Sequence, residues 1–161
     1  MAVPAQQNQT RSTSLLSAAV FVVVVVGVGL LIGSVTRPGE WYEGLVKPAF
    51  NPPGWVFGPV WTILYVLIAI AGWRIWRAAP RSAAMALWVT QMVLNWLWSP
   101  AFFGAQAPWL AMAIIVALLA AIIGFILQAW KHDRVAACLF IPYAAWVAFA
   151  TLLNGAIAAM N

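Results

Sequence analysis

The chain has 161 residues, of which 65% are hydrophobic and only 7% are charged, and its mean hydropathy is +0.95. So few charges exclude a single soluble globular domain, whose surface needs many more of them. The formal net charge of +5 comes from basic residues in short segments between apolar runs. No clustered basic face is present, so we expect no nucleic-acid partner.

The apolar residues form runs of about the 20 residues that a helix needs to cross a bilayer. A transmembrane β-barrel would instead show short segments in which apolar and polar side chains alternate. Runs such as Val22 to Val26 and Ile114 to Ile123 do not alternate. The sequence therefore predicts an all-α, polytopic protein whose partner is the lipid bilayer.

The amino-terminal residues 1–13 are polar and predict a disordered tail, followed by a single domain over 14–161. The first spanning helix is expected at about 15–35, which is longer than a signal-peptide core. Gly29 and Gly33 within it have the spacing that allows another helix to approach closely.

The longest connection, at 36–54, is called the lid loop here, and residues 40–46 within it predict a short interfacial helix. Pro48, Pro52 and Pro53 each lack a backbone donor, fix their own φ and hold the preceding residue out of helical conformation. We interpret this loop as a rigid lid over a binding pocket.

Further apolar runs predict four more spans, separated by charged or proline-containing turns, and Pro100 is expected to kink or end the second of these four. This gives a bundle of five transmembrane helices with the termini on opposite sides of the membrane. The four later spans are expected at about 55–76, 82–103, 109–130 and 135–160.

The distribution of basic residues predicts a cytoplasmic amino terminus and an outward-facing lid loop, because Lys and Arg are enriched in cytoplasmic loops. Helical bundles are expected in the inner rather than the outer membrane of a bacterium. The amino-terminal side carries Arg11, Arg74, Arg77, Arg81, Lys131 and Arg134, and the opposite side carries Arg37 and Lys47.

Three predicted spans carry a ring-bearing face with a few polar groups. The rings are as compatible with core packing as with ligand contact, and the amides are as compatible with hydrogen bonds between helices as with pocket lining. A mostly apolar cavity with a few oriented hydrogen-bond partners suits a large, flat, hydrophobic small molecule. The faces consist of Trp61 and Tyr65, then Gln91, Asn95 and Trp98, and finally Tyr143, Trp146, Ala150 and Leu153.

The sequence lacks the residues that several kinds of chemistry require. No Asp, Glu, Lys, Arg or His lies in the middle of a span, whereas ion pumps and proton-coupled carriers ordinarily use such groups. No nucleophile–base pair or cluster of metal ligands is recognisable, so we expect no required cofactor, no metal site and no conventional enzyme. The one cysteine, Cys138, is expected to be a small buried hydrophobic side chain.

Three segments carry motifs in a fixed order: NPPxWVFxPxW at 51–61, QxxLNxxWSPxFF at 91–103 and PYxxWxxFAxxLN at 142–154. Together with Trp41 and Tyr42 they closely resemble the translocator protein (TspO/MBR) family. This is the group of tryptophan-rich sensory proteins and peripheral-type benzodiazepine receptors.

The resemblance implies a five-helix bundle, often a homodimer, with a pocket under the first loop that binds porphyrins, haem-like tetrapyrroles, synthetic benzodiazepine-type ligands and, in some members, sterols. In a bacterial relative, tryptophans that match Trp61 and Trp146 have been linked to light-dependent porphyrin breakdown. The positions that match pocket residues are Trp61, Asn95, Trp98, Trp146, Ala150 and Leu153, with Tyr42 and Tyr65 close by.

One departure from the mammalian members narrows the ligand class. Leu153 and Asn154 are followed by Gly155, and neither a tyrosine nor a basic residue occurs before Asn161, so the sterol-recognition pattern is missing. We therefore expect a bacterial sensory or regulatory protein that binds porphyrin or haem. The alternatives are a passive porphyrin transporter and, third, a light-dependent enzyme that degrades porphyrin.

Overall fold

The computed structural model describes the backbone of residues 4–161 and the side chains of residues 14–161. All regular structure in this part of the chain is helical. A 3-10 turn at Gly54–Val56 leads into α3, and a π-helical turn at Pro100–Gly104 follows α4. The helices are α1 (Pro4–Val35), α2 (Glu40–Gly44), α3 (Phe57–Ala78), α4 (Ala83–Ser99), α5 (Pro108–Ala129), α6 (Arg134–Leu139) and α7 (Ile141–Met160).

The beginning of α1 lies within the segment for which a tail is predicted. Residues 1–3 lie outside the described residues, as do the side chains of 4–13, and the helical backbone begins at Pro4. From Ser14 to Val35 the helix is long and apolar enough to cross a membrane. This segment agrees with the first predicted span.

Four helical segments in the described part of the chain have the length and composition of membrane spans: Ser14–Val35, Gly54–Ala78, Pro108–Ala129 and Arg134–Met160. They match four of the five predicted spans. The predicted span at 82–103 does not form one α-helix of that length, so the structure gives four such helices and not five.

Pro100 explains the difference. It ends α4 after 17 residues, as the sequence predicts, because proline supplies no N–H to the helical ladder. The chain then widens into the π-helical turn, in which the Ala105 N–H donates to the Pro100 carbonyl at 2.8 Å.

The last predicted span is also interrupted. Helix α6 ends at Leu139, and α7 begins at Ile141 with Pro142 in its first turn, a position where proline is tolerated. A short helix is present in the lid loop where one is predicted, but α2 ends at Gly44 and not at residue 46.

The core lies where α5 packs against α4 and α7, and where α3 packs against α1 and α6. Fully buried side chains such as Ile68, Ile122 and Phe125 fill it, and the ring centroids of Phe125 and Phe140 are 3.9 Å apart. Helix α1 is peripheral, and Val25 is its one buried side chain among those described.

The predicted close helix approach on α1 is confirmed at Gly29 and not at Gly33. A Cβ atom at Gly29 would overlap the ring of Tyr65 on α3, whereas one at Gly33 would meet nothing within 4 Å. The prediction that Cys138 is buried is wrong, because this side chain lies exposed on the outer surface of α6.

An ion pair joins α3 to the turn before α6, at the end of the bundle remote from the lid loop. The Arg74 guanidinium donates through Nε to Asp133 Oδ2 at 2.8 Å and through a terminal nitrogen to Oδ1 at 3.1 Å. Asp133 also caps α6, since its Oδ1 accepts the Ala136 N–H at 3.1 Å. Desolvation raises the pKa of the Asp133 carboxyl, but the hydrogen bonds from Arg74 and Ala136 and the Arg74 charge outweigh it, so the pKa lies below its usual value.

This lowered pKa predicts a loss of stability in acid. The stabilisation is fully present above the unfolded-state pKa of about 4 and disappears as the pH falls through the lower folded-state pKa. We expect Asp133→Asn, which keeps a capping oxygen but removes the charge, to show a smaller drop in Tm between neutral and acid pH than the unchanged protein. Thermal unfolding in detergent at a series of pH values measures this, and equal drops in both proteins would contradict it.

Candidate functional site

A cavity of about 710 Å³ lies beneath the lid loop, between α1, α3, α4 and α7. This volume is within the range of small-molecule binding sites. Most of the wall is apolar or aromatic. The predicted site residues that line it are Tyr42, Trp61, Tyr65, Asn95, Trp98, Ala150 and Leu153.

Aromatic rings from two helices form the walls. On α3, Trp61 and Tyr65 are one turn apart and their ring centroids lie 5.3 Å from each other. Beyond α4, the π-helical turn places Phe102 in a stacked arrangement with Trp98 at 5.4 Å and against Phe103 at 4.9 Å. Offset and edge-to-face contacts of this kind hold rings in fixed positions.

The lid loop is held together by contacts of its own. The Tyr42 hydroxyl donates to Asn51 Oδ1 at 3.2 Å, and Lys47 Nζ lies 4.7 Å from the centre of the Tyr42 ring. Lys47 also donates to the carbonyls of Glu43 and Leu45 at 3.0 and 3.2 Å. Desolvation of Tyr42 raises its pKa, and the hydrogen bond with Asn51 offsets part of that rise. These contacts support the interpretation of the loop as a firm cover.

Asn161 fastens the same loop to the end of α7. Its side-chain amide pairs with the backbone of Val46 twice: the Val46 N–H donates to Oδ1 at 3.0 Å, and Nδ2 donates to the Val46 carbonyl at 3.1 Å. The Asn161 side-chain amide thus pairs with the Val46 N–H and carbonyl as the backbone of a neighbouring β-strand would.

A buried chain of hydrogen bonds crosses the bundle next to the cavity. The Tyr65 hydroxyl donates to Asn95 Oδ1 at 3.0 Å, and Asn95 Nδ2 donates to the Tyr143 hydroxyl at 2.9 Å. Tyr143 in turn donates to Gln91 Oε1 at 3.0 Å, and Gln91 Nε2 donates to the Trp88 carbonyl at 2.9 Å. These hydrogen bonds connect α3, α4 and α7.

The predicted amides differ in where they lie relative to these hydrogen bonds and to the cavity. Gln91 is fully buried, lines neither this cavity nor a smaller adjoining one, and accepts a hydrogen bond from Tyr143 on α7. Tyr143 on α7 also lines neither of these cavities and hydrogen-bonds to Asn95 and Gln91 on α4. Asn95 serves both purposes, because it lies in the chain and also on the cavity wall.

Trp146 lies behind the main cavity. It lines a small adjoining cavity of about 30 Å³ together with Trp61, Asn95 and Ala150. Its buried indole N–H has no hydrogen-bond partner within the described part of the chain. Trp61 and Trp146 therefore share one small cavity, and only Trp61 also reaches the large one.

Two further links hold the rim of the cavity. The hydroxyls of Thr36, just past α1, and Ser99, at the end of α4, are 2.6 Å apart. The Trp98 indole donates to Asn154 Oδ1 at 3.1 Å, and Asn154 Nδ2 donates to the Pro108 carbonyl at 2.9 Å. These bonds connect the ends of α1, α4, α5 and α7 on the lid side.

Several residues of the site lie outside the ring-bearing faces predicted from the sequence. Phe102 and Phe103 belong to the turn after Pro100, where a regular helical face no longer applies. Asn154 lies near the end of the predicted face on α7, four residues after Ala150, and it also lines the cavity. The charged rim residues Arg37 and Glu43 were visible as loop charges, but no pattern placed them at the cavity.

An all-helical chain with membrane-length apolar helices and a cavity of small-molecule size beneath a proline-rich loop is an integral membrane protein built around an internal pocket. The chain belongs to the TspO/MBR family, which it matches over residues 19–160.

Relatives from all three domains of life are similar along most of the chain. The tryptophan-rich protein TspO of Archaeoglobus fulgidus is 38% identical over 148 residues, which are 91% of this chain and 96% of the relative. The tryptophan-rich sensory protein of Cereibacter sphaeroides is 36% identical over 122 residues, 76% of this chain and 77% of the relative. The translocator protein of Homo sapiens is 35% identical over 134 residues, 78% of this chain and 79% of the relative.

The pairing of Asn161 with Val46 predicts how the lid loop responds to its loss. We expect Asn161→Ala to increase hydrogen exchange at the Val46 amide and its loop neighbours by about tenfold, because two backbone-like hydrogen bonds disappear. Exchange measured by mass spectrometry in detergent reports this for peptides that cover 40–54. Thr90→Ala, on an exposed part of α4, is the control, and an unchanged loop in the Asn161 variant would contradict the assignment.

Proposed function

We propose that this protein is a membrane sensor that binds a tetrapyrrole, porphyrin or haem-like, in the cavity beneath the lid loop. The observation that carries the proposal is the cavity of about 710 Å³, whose surface is mostly apolar and includes aromatic rings from α3 and α4. A flat, hydrophobic macrocycle gains both burial of apolar surface and ring stacking in such a space. No resident cofactor is part of the proposal, since the tetrapyrrole is the ligand.

Asn95 is the residue that we expect to orient the ligand. Within the described part of the chain, its Oδ1 accepts from Tyr65 and its Nδ2 donates once, to Tyr143. An amide nitrogen has two hydrogens to donate. The second remains for a ligand acceptor at the cavity wall.

We also propose that Ala83–Gly104 crosses the membrane as a fifth span. Helix α4 and the π-helical turn form one continuous stretch of about the 20 residues that a span requires. The arrangement of Lys and Arg supports a cytoplasmic amino terminus and a lid loop on the opposite side. The inner membrane of a bacterium and a homodimer complete the proposal. The exposed apolar side chains of α1, such as Leu16 and Val23, suit contact with lipid or with a second copy.

Passive porphyrin transport is the second candidate. The rim link between Thr36 and Ser99 lies between α1 and α4, and both helices border the cavity. Separation of these two helices would connect the cavity with the bilayer. Saturable porphyrin flux into vesicles would favour this function over sensing.

Filling the cavity tests the ligand site directly. We expect Ala150→Phe to weaken protoporphyrin binding by more than tenfold, because Ala150 lines both cavities and a ring there takes the space of the ligand. The matched control is Leu152→Phe on the lipid-facing side of the same helix, where the side chain is 68% exposed. Quenching of tryptophan fluorescence by protoporphyrin measures both. Equal affinity in the two variants would refute the proposed site.

The third candidate, light-dependent porphyrin degradation, depends on the two indoles that share the small cavity. We expect the double variant Trp61→Phe, Trp146→Phe to retain porphyrin binding within a few-fold, because the apolar surface is largely kept. Loss of porphyrin absorbance under illumination should stop, since phenylalanine is far harder to oxidise than tryptophan. An unchanged rate of absorbance loss in the double variant would exclude a role of these side chains in that reaction.

A further inference from the structure

The cavity has two charged residues in its lining, and both lie on the lid side. They are Arg37 and Glu43, and every other lining residue is uncharged. Arg37 comes just after the end of α1 and before Pro38, which holds the Arg37 backbone in an extended conformation. Arg37 is exposed, so it lies at the rim of the cavity and not within the apolar interior.

The Arg37 guanidinium has no protein partner in the described part of the chain. The one ion pair there joins Arg74 to Asp133, at the other end of the bundle, and the described hydrogen bonds do not involve the Arg37 side chain. The other cation of the lid loop, Lys47, is engaged with the carbonyls of Glu43 and Leu45 and with the Tyr42 ring. Lys47 holds the loop together, and Arg37 remains available.

A free guanidinium at the edge of an apolar cavity fits a particular kind of ligand. Its planar fork of N–H donors matches a carboxylate with two parallel hydrogen bonds. Glu43 on the same rim brings the summed charge of the lining to zero, so the cavity does not attract anions in general. Recognition then depends on a carboxylate that reaches Arg37 itself.

We propose that Arg37 binds a carboxylate on the rim of the ligand while the apolar body of the ligand lies against the aromatic walls. The proposal rests on the function proposed above and narrows its ligand class to amphipathic macrocycles with a free acid at one edge. The carboxylate stays at the water-accessible mouth of the cavity, where its hydration is only partly lost. The apolar body is buried below it.

The test compares protoporphyrin IX, a diacid, with its dimethyl ester, which has the same ring without the charges. Tryptophan-fluorescence quenching gives the Kd of both compounds for the full-length protein in a neutral, lipid-free detergent. The variants are Arg37→Gln, which removes the charge, and Arg37→Lys, which keeps the charge without the fork. Arg81→Gln is the matched control, since Arg81 is exposed at the opposite end of the bundle.

The ratio of the two Kd values is the decisive quantity, because differences in how the compounds partition into detergent cancel between variants. We expect Arg37→Gln to reduce the preference for the diacid by about fivefold, a size typical of a partly exposed charge-assisted pair, and to leave ester binding unchanged. Arg37→Lys should fall between Arg37→Gln and the unchanged protein. Arg81→Gln should match the unchanged protein.

Other outcomes would overturn the inference. If Arg37→Gln weakens diacid and ester equally, Arg37 supports the lid loop and does not bind the carboxylate. If both compounds bind and the ratio is the same in every variant, the inference fails while the proposed function stands. If neither compound binds the unchanged protein, both fail.

A lipid phosphate is the competing source of the same anionic chemistry. Repeating the measurement in nanodiscs of phosphatidylcholine and of phosphatidylcholine with phosphatidylglycerol separates the two. An Arg37-dependent ratio in both nanodiscs supports a ligand carboxylate. If the Kd ratio no longer depends on Arg37 when phosphatidylglycerol is present, Arg37 binds lipid headgroups and the inference is overturned.

Discussion

The buried hydrogen-bond chain from Tyr65 through Asn95 to Tyr143 is the constraint on which the rest of the structure depends. Apolar side chains alone give helices in a bilayer little preference for one mutual rotation, because lipid tails are as apolar as the helix surfaces. Directional bonds between α3, α4 and α7 supply that preference. They fix the side of α3 that carries Trp61 and the side of α7 that carries Ala150, and so they determine where a cavity opens.

The helices around the cavity are also held together at their lid-side ends. On the lid side, Thr36 meets Ser99, and Asn154 joins Trp98 to the start of α5. Helix α1 packs closely on α3 at Gly29, where an added methyl group would strike the Tyr65 ring. Side chains between these fixed points are free to line a space without closing it.

The helices and their apolar faces could be predicted from the sequence, whereas the residues at places where the helical geometry changes could not. The spacing of Trp61 with Tyr65, and of Asn95 with Trp98, assumes a regular helix, and both pairs do line the cavity. Beyond Pro100 the missing N–H widens the helix, so Phe102 and Phe103 escape any search for a 3.6-residue period. Gln91 and Tyr143 lie on the predicted faces but hydrogen-bond to each other. Helical spacing gives the side of a helix on which a residue lies and does not give the residue that it meets on the next helix. The sequence places Trp146 in the same pocket, whereas Trp146 lines the small cavity and not the large one.

Most of the contacts that hold the lid loop in place satisfy polar groups of its backbone. Its prolines remove backbone donors that would otherwise need partners, and Asn161 satisfies the Val46 N–H and carbonyl that no helix reaches. Lys47 folds back onto carbonyls of the same loop, which leaves Arg37 as the cation that faces the cavity rim. The hydrogen bonds within the loop hold the cover in place, and the Arg37 guanidinium at the cavity rim takes no part in them.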